Sequence, residues 1–315
     1  MHTKHYHSFA LQLQVLIVSI VLLLTLPIYG SIDAIKKAFN SKDYTKAYLL
    51  IQSTLKDQPK DADILLLAGD IYLEVNKLDS ALILYKNASK IQEANYGIDR
   101  KIGQLFIRKK DYKSAITFLL KALKSNEKDP WNHLAYADGL LASGKSVEAE
   151  KSYLEAKKLN SRLWQASASL ASIAMQKNNG DAARMHYEDA LKIDPSNIDI
   201  RKKHVLLVKD DKEPDPTIDE TIAVNKQPFV DGALIQSNLV YPELAKKAGI
   251  EGKVTLRVLI RKNGKAKKFI IEITDSELFN KSAGDAVMKS QFLPALQNGK
   301  PIACWLSVPI SFKLK

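Results

Sequence analysis

The stretch VTLRVLIRKNGKAKKFIIEIT, residues 254–274, consists of two alternating runs separated by Asn263-Gly264. Asn-Gly between two segments of period two is the strongest short-range signal for a β-hairpin, because a type I′ turn needs positive φ at both central positions. A two-residue loop pairs Lys262 with Lys265. That register places three facing pairs on one side of the sheet: Val258 with Phe269, Leu256 with Ile271, and Val254 with Ile273. The sequence therefore predicts an antiparallel hairpin with one buried face.

A third alternating run follows the hairpin, from Ile302 to Leu314. Its even positions are apolar and most of its odd positions are polar or small, which is typical of a strand with one face in the core and one in water. The single cysteine of the chain, Cys304, falls on the predicted inward face. We therefore interpret it as a small core residue rather than a nucleophile.

With its flanks, this region resembles the C-terminal domain of the TonB family. The shared motifs follow the family's order: Tyr241-Pro242, Gly252-Lys-Val254, Asn263-Gly264, an alanine-rich segment from Ala283 to Val287, Phe292-Leu-Pro294-Ala295, Asn298-Gly-Lys-Pro301 and Val308-Pro309-Ile-Ser-Phe312. The resemblance implies a small three-stranded antiparallel sheet with two helices. It also implies capture of an outer-membrane receptor segment by strand addition, with force from inner-membrane motor proteins driving nutrient import.

Pro309 indicates where such a partner would dock. Proline cannot donate to a β-ladder and is therefore confined largely to edge strands, which predicts that the third strand lies at the edge of the sheet. Unpaired backbone groups at an edge bind an added strand with little sequence demand. We expect docking along the segment before the proline, with Trp305 on the open face. That segment comprises Ala303, Cys304, Trp305, Leu306, Ser307 and Val308.

The preceding region repeats with a period of 34 residues. Alanines recur at this spacing, with small residues twelve positions before and seven after most of them. This pattern resembles tetratricopeptide repeats (TPRs), in which small residues lie where helices approach closely. The recurring alanines are Ala47, Ala81, Ala115, Ala149 and Ala183, and the large residues between the small ones are Ile51, Tyr85, Leu119, Tyr153 and Tyr187. About five repeats and a capping helix near 198–208 are predicted.

Arrays of this kind bind a peptide or protein in a groove lined by the first helix of each hairpin. The candidate groove residues are Asp70, Glu74, Arg100, Gln104, Arg108, Trp131, Asp138, Gln165, Ser172 and Gln176. Their mixed charge gives no recognisable ligand code. Trp131 is either a binding aromatic or part of the packing between repeats.

Residues 9–29 are almost wholly apolar. The core from Val15 to Leu26 has the length of a signal peptide, whereas the full run is about long enough to span a bilayer. Both interpretations export the remainder of the chain to the periplasm. The predicted organisation is a signal peptide or anchor at 1–30, the all-α repeat array at 31–208, an acidic proline-bearing linker at 209–228, and the α+β domain at 229–315.

Composition restricts the function classes. The 315 residues carry a net charge of +12, with 46% apolar and 26% charged residues, an ordinary globular balance. The lysines are dispersed, which indicates a solvated surface or contact with anionic lipid or envelope sugars. Nucleic acid binding is not expected, because no basic stretch is interleaved with stacking aromatics. No catalytic, metal-binding or phosphate-binding motif is present, so we predict neither an enzyme nor a cofactor.

Two functions remain. One is a TonB-like transducer that binds an outer-membrane receptor or another envelope protein. The other is a periplasmic adaptor that uses the same domain for assembly. The hydrophobic segment lacks the histidine that the family uses toward its motor partners, and the chain lacks a long proline-rich spacer. Both departures weaken the full transducer role, which stays the leading interpretation with the adaptor as its alternative.

Overall fold

The computed structural model describes residues 32–93, 95–209, 214–218, 220 and 222–314. The predicted signal peptide or anchor and part of the linker lie outside these residues. The described chain divides into two compact units, with boundaries at residues 127/128, 137/138 and 145/146. The first unit holds the early repeats. The second holds the last complete hairpin and the C-terminal domain.

The N-terminal region is helical throughout its described length. Its helices, in chain order, are α1 (Ile32–Asn40), α2 (Tyr44–Asp57), α3 (Ala62–Glu74), α4 (Leu78–Ile91), α5 (Tyr96–Arg108), α6 (Tyr112–Ser125), α7 (Pro130–Ala142), α8 (Ser146–Leu159), α9 (Trp164–Gln176), α10 (Gly180–Ile193) and α11 (Ile198–Val205). Many begin with an Asp or Asn cap, as when the Asp61 carboxylate accepts hydrogen bonds from the backbone N–H groups of Asp63 and Ile64.

The 34-residue pattern describes the packing correctly. All five recurring alanines are fully buried, as are the large residues between them to within a few per cent. Gly69 shows the steric reason, because a Cβ added there would lie 2.4 Å from the Tyr85 ring, and one added at Gly103 would lie 2.4 Å from Leu119. The predicted packing of the repeats is therefore confirmed.

The turn inside each hairpin shows a second 34-residue pattern that the sequence did not reveal. Residues with left-handed backbone occur at Lys42, Asn76, Lys110, Gly144 and Asn178, with φ from 56° to 84°. The next N–H bonds back to a helical carbonyl, as from Lys77 to Tyr72 at 2.8 Å. This Schellman-type closure ends the first helix of each hairpin. Lysine at two of these positions hid the signal, because glycine or asparagine is the usual marker.

The C-terminal domain contains five strands, three short helices and one 3₁₀ turn in its described part. They are α12 (Gly232–Asn238), α13 (Glu243–Lys247), β1 (Gly252–Ile260), β2 (Ala266–Thr274), a 3₁₀ turn (Glu277–Phe279), α14 (Asn280–Lys289), β3 (Ala295–Gln297), β4 (Lys300–Ile302) and β5 (Cys304–Phe312). The main sheet has the antiparallel order β2-β1-β5, and β3 pairs with β4 in a separate hairpin. Under the main sheet, the Phe279 and Phe312 rings stack 4.2 Å apart and Tyr241 meets both edge-on.

The predicted β1–β2 hairpin is present, but its turn and one end differ from the prediction. Arg261 N–H donates to Lys265 O and Gly264 N–H donates to Arg261 O, both at 2.9 Å, which closes a three-residue loop with Gly264 at φ 75°. Lys262 therefore does not pair with Lys265. Irregularities between Leu259 and Ile260, and between Thr255 and Leu256, shift the register.

The two predicted pairs at the centre of the hairpin, Val258 with Phe269 and Leu256 with Ile271, are found. The third is wrong, because Val254 faces Thr274 and Ile273 is 66% exposed. A β-bulge inserts one residue and turns the following side chain out of the core. The third predicted strand is likewise interrupted: Ala303 separates β4 from β5, and Leu314 is 38% exposed.

The last helical hairpin packs on the C-terminal domain within the second unit. Leu296 of β3 is buried in one apolar cluster with Tyr187, Leu191 and Ile200. Arg201 is 3% exposed, and its Nη2 donates to Pro294 O at 2.7 Å and Gln227 O at 3.1 Å. The linker is therefore not the only connection between this part of the array and the C-terminal domain.

The end of the predicted linker pairs with the C-terminal domain. Asn225 N–H donates to Leu296 O at 2.8 Å, and Phe229 and Leu293 exchange two backbone bonds at 2.9 and 2.8 Å. These bonds extend the β3–β4 hairpin by a third, irregular segment. They tie the end of the linker to the β3–β4 hairpin.

Candidate partner-binding site

Strand β5 lies at the edge of the main sheet. Its register with β1 is continuous from Gly252 opposite Phe312 to Ile260 opposite Cys304, and it pairs with no other strand of the described chain. The alternation of the sequence gives it two distinct faces. Cys304, Val308 and Phe312 are buried in the core, and Ser307 and Pro309 are exposed on the opposite face.

The register shows which backbone groups point away from the sheet. Facing residues in an antiparallel pair alternate between hydrogen-bonded and non-hydrogen-bonded positions. Pro309 faces Thr255 and has no N–H, so we infer that this is a non-hydrogen-bonded position. Ser307 and Trp305 lie two and four residues earlier and have the same orientation. Their N–H and C=O groups are therefore directed to the free edge.

The six predicted docking residues do not contribute equally. Ala303 lies in the break before β5, and the side chains of Cys304, Leu306 and Val308 all pack in or against the core. Burial raises the pKa of the Cys304 thiol, which fits its interpretation as a core residue. The outward side chains within the six are those of Trp305 and Ser307. The alternation of the sequence predicts that both side chains point outward. Only the register with β1 shows that their backbone N–H and C=O groups point to the free edge.

A polar row crosses the outer face of the sheet next to this edge. Arg257 Nε on β1 lies 2.7 Å from Glu272 Oε1 on β2. The Ser307 hydroxyl donates to the other oxygen of the Glu272 carboxylate. The row joins all three strands through side chains. It also compensates the charge of Arg257.

Trp305 does not lie on an open face, contrary to the expectation from the sequence. Its indole Nε1 donates to Pro216 O in the linker at 3.0 Å, and Lys268 Nζ lies 5.4 Å from the ring centroid. The linker is further held by Asp215, whose carboxylate oxygens lie 2.6 and 2.7 Å from Lys267 Nζ. These lysines hold the pKa of Asp215 below its usual value. The linker therefore covers part of the outer face.

The other motif residues of the C-terminal domain build its core and turns. Tyr241, Phe292, Ala295 and Phe312 pack in the core, and Gly252 is tight because an added Cβ would lie 2.9 Å from Asp275 Cβ. Asn263 and Gly264 form the hairpin turn. Pro242 precedes α13, Pro294 accepts the Arg201 bond, and Pro309 marks the edge. Because these motif residues lie in the core and the turns, the motif predicts the fold of the domain. It does not identify the residues that contact a partner.

Several groove candidates make contacts between repeats. Asp70 accepts from Tyr85 Oη at 2.7 Å and from Lys101 Nζ at 2.7 and 2.8 Å. Glu74 pairs with Arg108 at 2.7 Å, and Arg108 also donates to Leu73 O. These charges connect neighbouring hairpins of the first unit.

The remaining candidates differ in exposure. Gln104 and Gln176 are exposed and Trp131 is 44% exposed, whereas four others are half-buried: Arg100, Asp138, Gln165 and Ser172. The Ser172 hydroxyl donates to Ala168 O within its own helix. A groove ligand stays a prediction.

Comparison with known proteins bears on both regions. Residues 237–314 match the family model described as Gram-negative bacterial TonB protein C-terminal. Residues 101–129 and 134–198 match tetratricopeptide repeat models. The chain joins TPRs to a TonB-like domain. Both families are protein-interaction domains.

The curated relatives resemble only the C-terminal domain. Protein TonB of Vibrio cholerae serotype O1 is 33% identical over 76 residues, which is 24% of this chain and 31% of that protein. Protein tonB2 of Pseudomonas aeruginosa is 37% identical over 75 residues, 24% of this chain and 28% of that protein. The chain thus spans less than a third of the length of these relatives.

The repeats have structural relatives as well. A thermophilic TPR protein of Thermus thermophilus aligns with a TM-score of 0.51 and 19% identity, over 55% of this chain and 94% of that one. This similarity supports the TPR fold. Within the described residues, no helix has the length and apolar character to cross a bilayer, and no cluster of His, Cys, Asp and Glu suited to a metal ion occurs.

Sequence reasoning missed three contributors to this region. Arg201 joins the last hairpin to the C-terminal domain, Asp215 holds the linker, and Glu272 joins the three strands on the outer face. The sequence does carry a signal for the Asp215 contact, because the linker is acidic and β2 contains lysines of opposite charge. Nothing in the local sequence of Arg201 indicates carbonyl partners 26 and 93 residues away.

Proposed function

We propose that this chain is a non-enzymatic cell-envelope protein whose C-terminal domain captures a partner protein as an added strand on β5. The partner is an outer-membrane receptor or another periplasmic protein, and capture supports energy-coupled transport across the membrane. The observation that carries the proposal is the free edge of β5, where Trp305 and Ser307 present backbone groups away from β1. The TonB-like match of residues 237–314 supports it.

The edge is suited to a partner of relaxed sequence. Backbone hydrogen bonds to an added strand supply affinity, and nearby side chains supply the selection. Pro309 contributes no donor, so the continuous run of outward donors ends at Ser307. The proposed contact is therefore short and lies in the first half of β5.

Two roles are compatible with this contact. As a transducer, the chain stays anchored by residues 9–29 and receives force from inner-membrane motor proteins. As a periplasmic adaptor, it is released by a signal peptidase and uses the TPRs for assembly. The N-terminus of the mature protein separates them. Cleavage near Gly30 selects the adaptor, and an intact apolar segment selects the transducer.

The strand contact is tested by recovery of outer-membrane proteins from solubilised membranes of the source bacterium. Ser307→Pro removes one outward N–H and should weaken capture by about tenfold, equivalent to about 1.4 kcal/mol. Ser307→Ala keeps the N–H and loses only the hydroxyl bond to Glu272, so it should retain capture. Ser311→Pro lies beyond Pro309 on the same side of the strand and should also retain it.

Folding must be equal for this comparison. Near-ultraviolet circular dichroism of the three variants should match that of the wild type. Folded Ser307→Pro protein that recovers the same proteins at the same yield would contradict the proposal.

A further inference from the structure

The tip of the β3–β4 hairpin packs directly against helix α10. Asn298 and Gly299 form its two-residue loop, with φ of 50° and 78°. Positive φ at both central positions is the geometry of a type I′ turn. A Cβ added to Gly299 would lie 2.4 Å from the Glu188 carbonyl oxygen and 2.7 Å from the Lys192 backbone nitrogen. The loop backbone and the helix backbone are therefore in direct contact, an approach that requires glycine.

Two further positions of the C-terminal domain reach the same helical hairpin. Leu296 on β3 is 2% exposed and lies in one apolar cluster with residues of α10 and α11. At the β1–β2 turn, a Cβ added to Gly264 would lie 3.0 Å from Val205 Cγ2 at the end of α11. The turns of both β-hairpins of the domain therefore contact these two helices.

Polar groups are matched across the same contact. The buried guanidinium of Arg201 on α11 donates to Pro294 O at 2.7 Å and to Gln227 O at 3.1 Å. Lys226 Nζ donates to Ser196 Oγ, in the loop between α10 and α11, at 3.4 Å. Burial of a charged group is tolerated only where acceptors face it. The contact is therefore specific in its orientation as well as apolar.

These contacts do not depend on the backbone that joins the two sides. Helices α10 and α11 precede residues 210–213, and the contact residues of the C-terminal side, named above, all follow them. A cut between Lys209 and Pro214 would therefore break none of these contacts. Surfaces between parts of one chain resemble interfaces between separate proteins, so such a contact can persist without a covalent connection.

We propose that α10 and α11 form a docking arm that holds the C-terminal domain without the covalent linker. The arm fixes the sheet, and with it the free edge of β5, to the last TPR hairpin. It makes this hairpin a structural part of the C-terminal domain, although the family match begins only at residue 237. The proposal does not rest on strand addition, because the contacts of the arm lie at β3 and the hairpin turns rather than on β5.

The test cuts the linker in the full chain. The recognition sequence of a site-specific protease, flanked by glycine and serine residues, replaces residues 210–213, and a denaturing gel confirms complete cleavage. The cut protein is loaded on a size-exclusion column at about 100 µM, well above a micromolar Kd. The two fragments should elute as one peak, at the volume of the uncut protein.

Variants locate the attachment. Gly299→Ala introduces the clash with α10, and after cleavage less than half of the C-terminal fragment should stay in the common peak. Gly249→Ala is the matched control, because Gly249 also has positive φ, 66°, but an added Cβ would meet no atom of the described chain within 4 Å beyond its chain neighbours. It should keep the single peak. Arg201→Met should release the fragment, and Lys202→Met, at the exposed next residue, should not.

Separate elution of the wild-type fragments would show that the linker alone holds the domain, which would overturn the proposal. A single peak that survives both Gly299→Ala and Arg201→Met would place the attachment elsewhere and would overturn it as well. Near-ultraviolet circular dichroism of the uncut variants shows whether release follows from loss of fold. The wild-type result does not depend on any variant, so it decides the proposal even where a variant fails to fold.

Discussion

Contacts within the TPRs differ in kind from the contact between the last hairpin and the C-terminal domain. Inside the repeats, buried alanines and glycines face large apolar residues at a fixed 34-residue spacing. At the junction, a buried arginine donates to two backbone carbonyls beside one leucine of β3. The first kind of contact depends on side-chain volume. The second depends on hydrogen bonds between buried polar groups, here the Arg201 guanidinium and two backbone carbonyls.

The largest effect is expected from breaking a contact of the first kind. Tyr85 is fully buried against Gly69, and Tyr85→Ala removes its ring and its bond to Asp70. Large-to-small changes of this kind cost about 3–5 kcal/mol. Tyr85→Phe keeps the ring and should cost only about 0.5–1.5 kcal/mol, the value of one hydrogen bond. Urea denaturation of the full chain measures both. Equal losses for the two variants would show that the hydroxyl, rather than the volume, dominates.

The junction is expected to be the next most sensitive. Arg201→Met keeps an apolar stem but leaves the carbonyls of Gln227 and Pro294 without their donor. Hydrogen bonds from a charged donor are worth about 1.5–3 kcal/mol, and we expect a loss in that range. Burial lowers the pKa of Arg201, because the buried guanidinium has lost its hydration. Removing this charge is therefore favourable in itself and offsets part of the stability lost with the two hydrogen bonds.

Lys202→Met is the control for this substitution, since it lies next in α11 and is exposed. It should change the free energy of unfolding by less than about 0.5 kcal/mol. A Lys202 effect as large as that of Arg201 would show that the buried hydrogen bonds of the junction contribute no stability of their own. Hydrogen exchange at Leu296 gives a local readout, which should quicken only in Arg201→Met.

These two kinds of contact explain how far the sequence alone could predict the structure. Small and large residues that recur at a fixed spacing are visible in the sequence. Ala149 and Tyr153 could therefore be assigned to the packing between helices from the sequence alone. The hairpin centre was predictable for the same reason, through Val258 and Leu256. A carbonyl belongs to every residue, so no pattern marks the partners of Arg201. The bulge that exposes Ile273 likewise does not interrupt the period-two pattern of the sequence, so the pattern does not reveal it.

The candidate site divides in the same way. Pro309 correctly indicates the edge strand, because the sequence alone shows that this residue has no backbone N–H to donate. The linker contact of Trp305 was missed, because it depends on how the chain returns to the sheet about ninety residues later. The docking segment and the groove residues stay predictions.

A smaller effect is expected from overfilling a repeat. Ala149 is fully buried on α8, and Ala149→Leu adds volume where the packing leaves no room. Such changes cost about 1–3 kcal/mol. Val147→Leu adds one methylene at a residue that is 58% exposed, and it should leave the midpoint of urea unfolding unchanged. No difference between the two variants would contradict the proposed packing frame.

The smallest effect concerns pH at the junction helix. His204 on α11 is 1% exposed, and burial lowers its pKa below 6.5, despite Glu188 Oε1 at 3.6 Å. The unfolded chain therefore binds this proton more readily than the folded chain. The contribution of His204 to stability is complete above about pH 6.5 and declines as pH falls toward the folded pKa.

The measurement for His204 is the free energy of unfolding between pH 7 and pH 5, compared with that of His204→Phe. The variant should show a shallower decline over this interval. His186, whose pKa is also lowered by burial, provides the parallel comparison through His186→Phe. Identical slopes for wild type and His204→Phe would show that this histidine does not make the junction sensitive to pH.

Capture of a partner at the free edge of β5 is tested most directly by site-specific photocrosslinking in living cells. Benzoylphenylalanine is placed at Ser307 on β5 and, in a second strain, at Ile270 on β2, the opposite edge strand of the same sheet. Ile270 is 42% exposed and Ser307 is also exposed, so both probes reach solvent. We predict a crosslink to an envelope protein from Ser307 and none from Ile270. Crosslinks from Ile270 alone would contradict capture at β5.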